Sequence, residues 1–152
     1  MITILETLLE GAEGSYASTR DLRNLEHVMS SWSERKEAYL AVQANEESII
    51  DRAMVMMQQG KPIQNNPVTI EYCRRDITLA LRYYALGMLM QDEQMLKERF
   101  LYWQKNVLQA MGFHNERGVK FVLESIYIEL PQKQANLFQP YFKLGDDLIM
   151  SD

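Results

Sequence analysis

The sequence is organised around residues 73–82, which contain its single cysteine and read Cys-Arg-Arg-Asp-Ile-Thr-Leu-Ala-Leu-Arg. A helix-start signal stands a few residues upstream, because Asn66 is a favourable N-cap and Pro67 suits the first helical position. From Val68 to about Met90 the pattern is helical and continuous. This pattern predicts one long helix that carries the whole stretch.

The spacing of this helix brings two chemically distinct side chains together. Cys73 and Asp76 are three residues apart, so they share a helix face, and Arg74 and Arg75 flank them. The helix therefore presents a thiol beside a carboxylate with basic groups at its edge. Each feature also has a plain structural interpretation. A lone helical cysteine is often a small buried hydrophobe, and an aspartate beside an arginine is often a surface pair of little energetic weight.

The composition is that of one soluble globular domain covering residues 1–152, with 47% hydrophobic and 24% charged residues. The net charge of −5 argues against nucleic acid as a partner, because phosphate binding needs a basic surface. No apolar run approaches the roughly 20 residues of a membrane-spanning helix, and the first residues lack the basic start of a signal peptide. One cysteine excludes an internal disulfide and suits a reducing compartment. We therefore expect a cytoplasmic protein without membrane insertion.

Helical periodicity dominates the chain, and no strand pattern of any length occurs. The apolar positions predict helices near residues 2–9, 18–30, 39–57, 68–90, 95–108 and 119–127, and a last one from Gln132 that Pro140 and Gly145 interrupt. The stop signals between them are Gly11, the serines at 30–33, Gly60, Gly112 and Pro131. Seven or eight helices with short connections predict an all-α fold, closer to a globin-like packing than to a four-helix bundle.

No arrangement typical of an active site or a metal centre stands out in the sequence. His27 and His114 are far apart, and no His, Cys, Asp and Glu spacing matches a metal site. Nucleophile–base motifs, glycine-rich phosphate loops and paired catalytic acids do not stand out either. We therefore expect a protein that is not an enzyme.

Residues 73–77, followed by Leu81 and Arg82, resemble the Cys-x-Arg-Asp-[Ile/Leu]…Leu-Arg stretch of phycobiliproteins. These are the cyanobacterial light-harvesting subunits of the phycocyanin and allophycocyanin type. Residues 13–18, 141–142 and 148–150 resemble other parts of the family, so the likeness extends over nearly the whole chain. The resemblance implies a globin-like helical bundle with two extra N-terminal helices that form the subunit dimer.

The resemblance also implies a pigment site at the start of the long helix. Cys73 matches the cysteine that forms a thioether with a linear tetrapyrrole, most simply phycocyanobilin. Asp76 matches the aspartate that accepts hydrogen bonds from the inner pyrrole N–H groups. Arg75 matches the arginine that contacts a propionate, and Arg74 adds a second guanidinium, a group that suits carboxylates.

An interface is implied in the same way. Arg82 matches a family position that pairs with an acidic residue on the N-terminal helices of the neighbouring subunit, and Glu10 or Glu13 is the corresponding acid here. The N-terminal aliphatic residues form an apolar stripe suited to a homodimer or a heterodimer. The implied partners are phycobilisome subunits or linkers, which would hold the protein at the cytoplasmic face of the thylakoid.

Departures from the family pattern motivate two further hypotheses. Leu79 and Ala80 stand where the family has two adjacent tyrosines, whereas Tyr83 and Tyr84 follow Arg82. The loop before the long helix is shorter than is typical, and residues 68–72 contain no basic side chain. One alternative is therefore a pigment-free homologue with a structural, assembly or regulatory role and no cofactor. The other is a pigment-free globin-like sensor module without a phycobilisome link.

Overall fold

The computed structural model describes residues 1–60, 67–111 and 118–151, and within these ranges every regular element is helical. The helices are α1 (Ile2–Gly11), α2 (Thr19–Ser30), α3 (Trp32–Ala44), α4 (Glu46–Gly60), α5 (Pro67–Met90), α6 (Glu93–Leu96), α7 (Tyr102–Ala110), α8 (Gly118–Glu129), α9 (Gln132–Asn136) and α10 (Gln139–Met150). The predicted all-α class is confirmed. None of the described helices combines the length and the apolar character needed to cross a bilayer.

Local side-chain chemistry sets several helix ends as the sequence predicts. Ser18 caps α2, because its hydroxyl accepts the Asp21 N–H at 3.1 Å. The long helix α5 begins at Pro67 and ends at Met90, as predicted. The predicted cap Asn66 and the predicted stop Gly112 lie outside the described residues.

The prediction of one segment over residues 39–57 is wrong, because α3 ends at Ala44 and α4 starts at Glu46. The Asn45 side chain donates to the Ala41 carbonyl at 2.8 Å, and its own N–H bonds the Ala41 and Val42 carbonyls. An asparagine side chain that competes for backbone groups in this way favours a helix end over continuation.

The last predicted segment is split, but one turn earlier than Pro140 and without a break at Gly145. Helix α9 ends at Asn136, and Pro140 lies in the first turn of α10, where its missing N–H has no helical partner to lose. Gly145 lies inside α10 and is buried. A Cβ at Gly145 would overlap the Tyr84 hydroxyl, so this glycine allows α10 to pack closely on α5.

Helix α5 forms the centre of the core and packs against α3, α4, α6, α8 and α10. The ring of Tyr84 is fully buried there, stacked on Phe142 at 4.4 Å and edge-on to Phe100 at 6.1 Å. The other large, fully buried side chains include Ile49, Ile50, Leu81, Met88, Leu96, Leu101, Ile126 and Phe138. Residues 73–82 are thus carried by the helix at the centre of the core.

A five-residue π-helical turn, Lys97–Leu101, joins α6 and α7. The backbone of Leu96 before it and of Tyr102 after it stays in the right-handed helical region, so α6, the π turn and α7 form one continuous helix. The turn buries Phe100 and Leu101 against the core. Such π turns inside longer helices occur frequently at functional sites.

The hairpin of α1 and α2 lies at the edge of the molecule. Helix α1 has no buried residue and packs against α2 and α6. Asp92, the N-cap of α6, anchors it: the carboxylate accepts the N–H and the hydroxyl of Thr3, both at 2.8 Å, as well as the Met95 N–H at 2.9 Å. Little apolar burial holds this hairpin to the rest of the fold.

Candidate functional site

The thiol and the carboxylate expected at the pigment site lie near the start of α5, but they face different surroundings. The Cys73 side chain is half-buried and packs against the hydrophobic core. Asp76 is exposed. Positions three residues apart are about 60° apart around a helix axis. The thiol therefore lies at the boundary between the core and the solvent-facing surface that carries Asp76.

Arg75 binds Asp76 directly. Its Nε and Nη2 atoms donate to Oδ1 at 3.0 and 2.9 Å, and the guanidinium also lies over the Tyr72 ring, 5.0 Å from its centroid. Both charged side chains are largely exposed, so solvent screens this pair. The site thus holds a balanced ion pair one turn from the thiol.

Two further ion pairs join α5 to α4. Arg74 contacts Asp51 at 2.6 Å, and Arg82 contacts Glu46 at 2.6 Å through Nη2. The hydrogen bond and the charge of Glu46 raise the pKa of Arg82. Arg82, the later of the two arginines on α5, contacts Glu46, the earlier of the two acids on α4. This order is expected for antiparallel helices.

The position of Arg82 bears on its expected intersubunit role. Its guanidinium is already bound within the chain, whereas Glu10 and Glu13 are exposed at the end of α1 and in the turn after it. A contact between Arg82 and an acid of a neighbouring subunit stays a prediction. The intrachain acid Glu46 was not found by sequence reasoning, because no local pattern links residues on two separate helices.

An open groove of ≈ 450 Å³ runs along α5. Its lining residues are Glu71, Arg74, Arg75, Thr78, Leu79 and Arg82. The lining includes three guanidinium groups, which suit carboxylate ligands, although each already contacts an acid within the chain. Arg75 lines the groove and also binds Asp76. An anion bound to Arg75 would therefore lie within one helical turn of Cys73.

A family model described as "Phycobilisome protein" matches residues 10–148. The chain belongs to the phycobilisome protein family. It is also similar to the C-phycocyanin beta chain of Rhodella violacea, with 27% identity over 108 residues. That match covers 66% of this chain and 63% of the relative, so the chain spans less than two thirds of the relative's length.

Membership of this phycobilisome protein family confirms the resemblance carried by residues 73–82. The all-α, globin-like fold class is confirmed with it, since every regular element of the described residues is helical and two helices, α1 and α2, precede the packed body. The roles of Cys73, Asp76, Arg75 and Arg74 stay predictions.

The phycobilisome family pattern did not reveal an aromatic cluster next to the site. Tyr83 of α5 stacks on Phe100 of the π turn, with centroids 4.6 Å apart and an interplanar angle of 8°. Trp103 of α7 lies 5.8 Å from Phe100. The tyrosine after Arg82 is visible in the sequence as a departure from the family, but its stacking partners depend on how the π turn orients Phe100.

Proposed function

We propose that this phycobilisome protein carries a linear tetrapyrrole, most simply phycocyanobilin, bound covalently at Cys73, and acts in light absorption and excitation transfer. One observation carries the proposal: a half-buried thiol lies one helical turn from an exposed carboxylate that an arginine already contacts. When bound, the tetrapyrrole supplies the conjugated system that absorbs visible light. The chain's own side chains attach the pigment and bind its polar groups.

The Cys73 thiol forms the covalent bond by addition. Its sulfur bonds to one carbon of an exocyclic double bond of the pigment, and the thiol proton goes to the adjacent carbon. No atom leaves and no oxidant is consumed. A cysteine at the edge of the core suits this role, because its backbone is fixed by α5 while its side chain remains half-exposed.

The charged groups next to Cys73 match the polar parts of such a pigment. Asp76 accepts hydrogen bonds from inner pyrrole N–H groups, and its negative charge stabilises the protonated pigment. Arg75 binds a propionate, for which a planar guanidinium is well suited. Arg74 borders the same groove and offers a second cation.

The N-terminal hairpin is the proposed contact with other subunits, in a homodimer or a heterodimer. Helix α1 buries none of its residues, and Leu9 is 68% exposed. Leu5, Leu22 and Met29 add to this apolar surface. Pairing with phycobilisome subunits or linkers would cover it and would place the protein at the cytoplasmic face of the thylakoid.

The test is production of the protein together with the enzymes that make phycocyanobilin, with and without bilin lyases. A denaturing gel scanned for zinc-enhanced bilin fluorescence reports covalent attachment. We expect a fluorescent band for the wild type and none for Cys73→Ala. A wild type that stays colourless under every lyase condition contradicts the proposal.

A second function is favoured by the way in which the arginines are already engaged. Arg74, Arg75 and Arg82 each contact an acid within the chain. A pigment-free assembly or regulatory protein would use the Arg74 and Arg82 pairs only to hold α4 on α5. It would bind phycobilisome components through its N-terminal hairpin. A colourless protein that captures purified phycocyanin or allophycocyanin, and loses this capture on Leu9→Asp, would support this alternative.

A further inference from the structure

The N-terminal hairpin, which consists of α1, α2 and the turn between them, buries almost no side chain. Both helices are described in full, and Val28 is their single buried residue. The hairpin meets the rest of the fold where α1 packs on α6 and where α2 leads into α3. Apolar burial therefore gives little hold on the direction in which the hairpin points, and polar contacts must supply it.

The short connection between α5 and α6, residues 89–92, binds both arms of the hairpin. At its end, Asp92 accepts the N–H and the hydroxyl of Thr3 at the start of α1, both at 2.8 Å. One residue earlier, the Gln91 side-chain oxygen accepts the hydroxyl of Ser31 at 3.1 Å. Ser31 lies between α2 and α3. The same turn thus holds the first residues of the hairpin and the last.

A buried guanidinium strengthens the attachment of the second arm. Arg35 of α3 is 3% exposed and donates to the carbonyl of Val28, near the end of α2, and to the carbonyl of Leu89, near the end of α5. Its Nε atom donates to the Ser31 hydroxyl at 3.0 Å. A cation is favourable beside the C-terminal ends of helices. Because the guanidinium is rigid and planar, it fixes the two helix ends relative to each other.

The backbone of Gln91 adds an independent sign that this connection is specialised. Its φ angle is +47°, and no other non-glycine residue among those described has a positive φ. A side chain in the left-handed region is uncommon and persists where the surroundings hold it. Glycine would form the same turn more easily, but it would lack the side chain that binds Ser31. The residue that shapes the turn is therefore also one that holds the hairpin.

Ser31, Arg35, Gln91 and Asp92 together form what we term the hairpin clamp. Resting on the proposed contact between the hairpin and other subunits, we propose that the clamp sets the direction of the hairpin in the free chain, and that Ser31, Arg35 and Gln91 are positioning residues for binding a phycocyanin-type subunit. They lie apart from the contact surface, which consists of exposed apolar side chains of α1 and α2. A surface that is already oriented loses less conformational freedom on binding.

The first experiment measures affinity for purified phycocyanin. Ser31→Ala is compared with Ser30→Ala, a matched control whose hydroxyl bonds the His27 carbonyl within α2 at 2.6 Å. Gln91→Gly keeps the turn but removes the bond to Ser31, so its unfolding temperature should stay close to that of the wild type. Arg35→Lys keeps the charge but cannot span both carbonyls. We expect several-fold weaker binding for Ser31→Ala, Gln91→Gly and Arg35→Lys, and unchanged binding for Ser30→Ala.

The second experiment measures the hairpin's direction without a partner. Spin labels on Arg20→Cys in α2 and Lys143→Cys in α10, in a Cys73→Ala background, report the distance between the two helices by double electron–electron resonance. The wild-type clamp and Ser30→Ala should give one narrow distance distribution, which Ser31→Ala and Gln91→Gly should broaden. This comparison needs no pigment, so its result is independent of attachment at Cys73.

The two measurements separate the clamp from the contact that it serves. A broad distribution with the clamp intact, or an unchanged one in both Ser31→Ala and Gln91→Gly, overturns the clamp. A broadened distribution with unchanged phycocyanin affinity overturns the positioning role. If the protein with an intact clamp binds no phycocyanin although its hairpin has a single direction, the proposed contact fails, and the positioning role fails with it.

Discussion

Arg75 donates two hydrogen bonds to one oxygen of Asp76, from Nε at 3.0 Å and from Nη2 at 2.9 Å. Under the proposed function these groups hold different parts of the pigment, since Asp76 binds pyrrole N–H groups and Arg75 binds a propionate. Without pigment, Arg75 and Asp76 thus meet each other's need for a hydrogen-bond partner. Because both side chains are exposed, the pair is weak enough to be exchanged for contacts with the pigment.

Asp76→Ala should separate attachment from colour. Cys73 is still labelled, but the long-wavelength absorption is lost, because the carboxylate that stabilises the protonated pigment is gone. The free energy of unfolding should change by less than about 1 kcal/mol, as for other exposed ion pairs. The control Glu34→Ala breaks an exposed pair with Lys133 on α9 and should leave the spectrum unchanged. Unchanged absorption in Asp76→Ala would contradict the assigned role.

Glu46→Gln and Arg82→Gln should have opposite effects on assembly. Both remove the ion pair between α4 and α5 and should cost less than about 1 kcal/mol of folding stability. Only Glu46→Gln leaves a guanidinium available for an acid of another subunit. We therefore expect tighter self-association or tighter binding to phycocyanin for Glu46→Gln and weaker association for Arg82→Gln, measured by sedimentation. Equal effects of the two variants would show that Arg82 takes no part in the interface.

Asp92 should stabilise the fold above about pH 4. Burial acts to raise the pKa of Asp92, but hydrogen bonds from Met95, Thr3 and the N-terminal ammonium outweigh it, and the pKa lies below its usual value. A lowered carboxyl pKa gives stability that is present above the unfolded pKa and lost as the pH falls through the folded pKa. Asp92→Asn should cost roughly 1–3 kcal/mol at pH 7 in urea unfolding, and this cost should shrink below about pH 4.

Asp146 is the matched control for this pH dependence, because its pKa is shifted the other way. Burial, with a smaller contribution from Asp147, raises the pKa of Asp146, and Lys120 opposes the shift. The folded state therefore favours the ionised form of Asp146 less than the unfolded state does. Asp146→Asn should be neutral or stabilising at pH 7. Loss of stability similar to that of Asp92→Asn would contradict the direction of the pKa shift assigned to Asp146.

Gly145 and Tyr84 should be strongly coupled. Gly145→Ala places a methyl group on the Tyr84 hydroxyl and should cost about 1–3 kcal/mol through overpacking. Within the described residues the Tyr84 hydroxyl is buried without a hydrogen-bond partner, and burial raises its pKa. Tyr84→Phe should therefore be nearly neutral alone and should reduce the cost of Gly145→Ala. Additive effects in a double-mutant cycle would contradict the contact.

Local signals in the sequence account for much of the fold. Ser18 and Pro67 mark the starts of α2 and α5, because capping and proline geometry depend on neighbouring residues only. The boundary at Asn45 was missed, since the surrounding apolar periodicity is continuous and only the side-chain bond to Ala41 reveals the break. The π turn was missed as well, because an α-helical repeat carries no mark of one extra residue.

Only the part of the candidate site that lies on α5 could be predicted from the sequence. Cys73, Asp76 and Arg75 lie within one turn, so their spacing alone places them together. The partners of Arg74 and Arg82 lie on α4, and the stacking of Tyr83 on Phe100 depends on how α5 and the π turn pack. Such contacts follow from tertiary packing, which a single sequence does not encode in any local pattern.

The central claim is a tetrapyrrole bound at Cys73, and peptide mass spectrometry tests it most directly. The protein is produced with phycocyanobilin-synthesising enzymes and bilin lyases, digested, and the peptide containing Cys73 is weighed. The account predicts a mass increase of one intact tetrapyrrole on that cysteine, absent from Cys73→Ala. An unmodified Cys73 peptide under conditions that label a known phycocyanin subunit would contradict it.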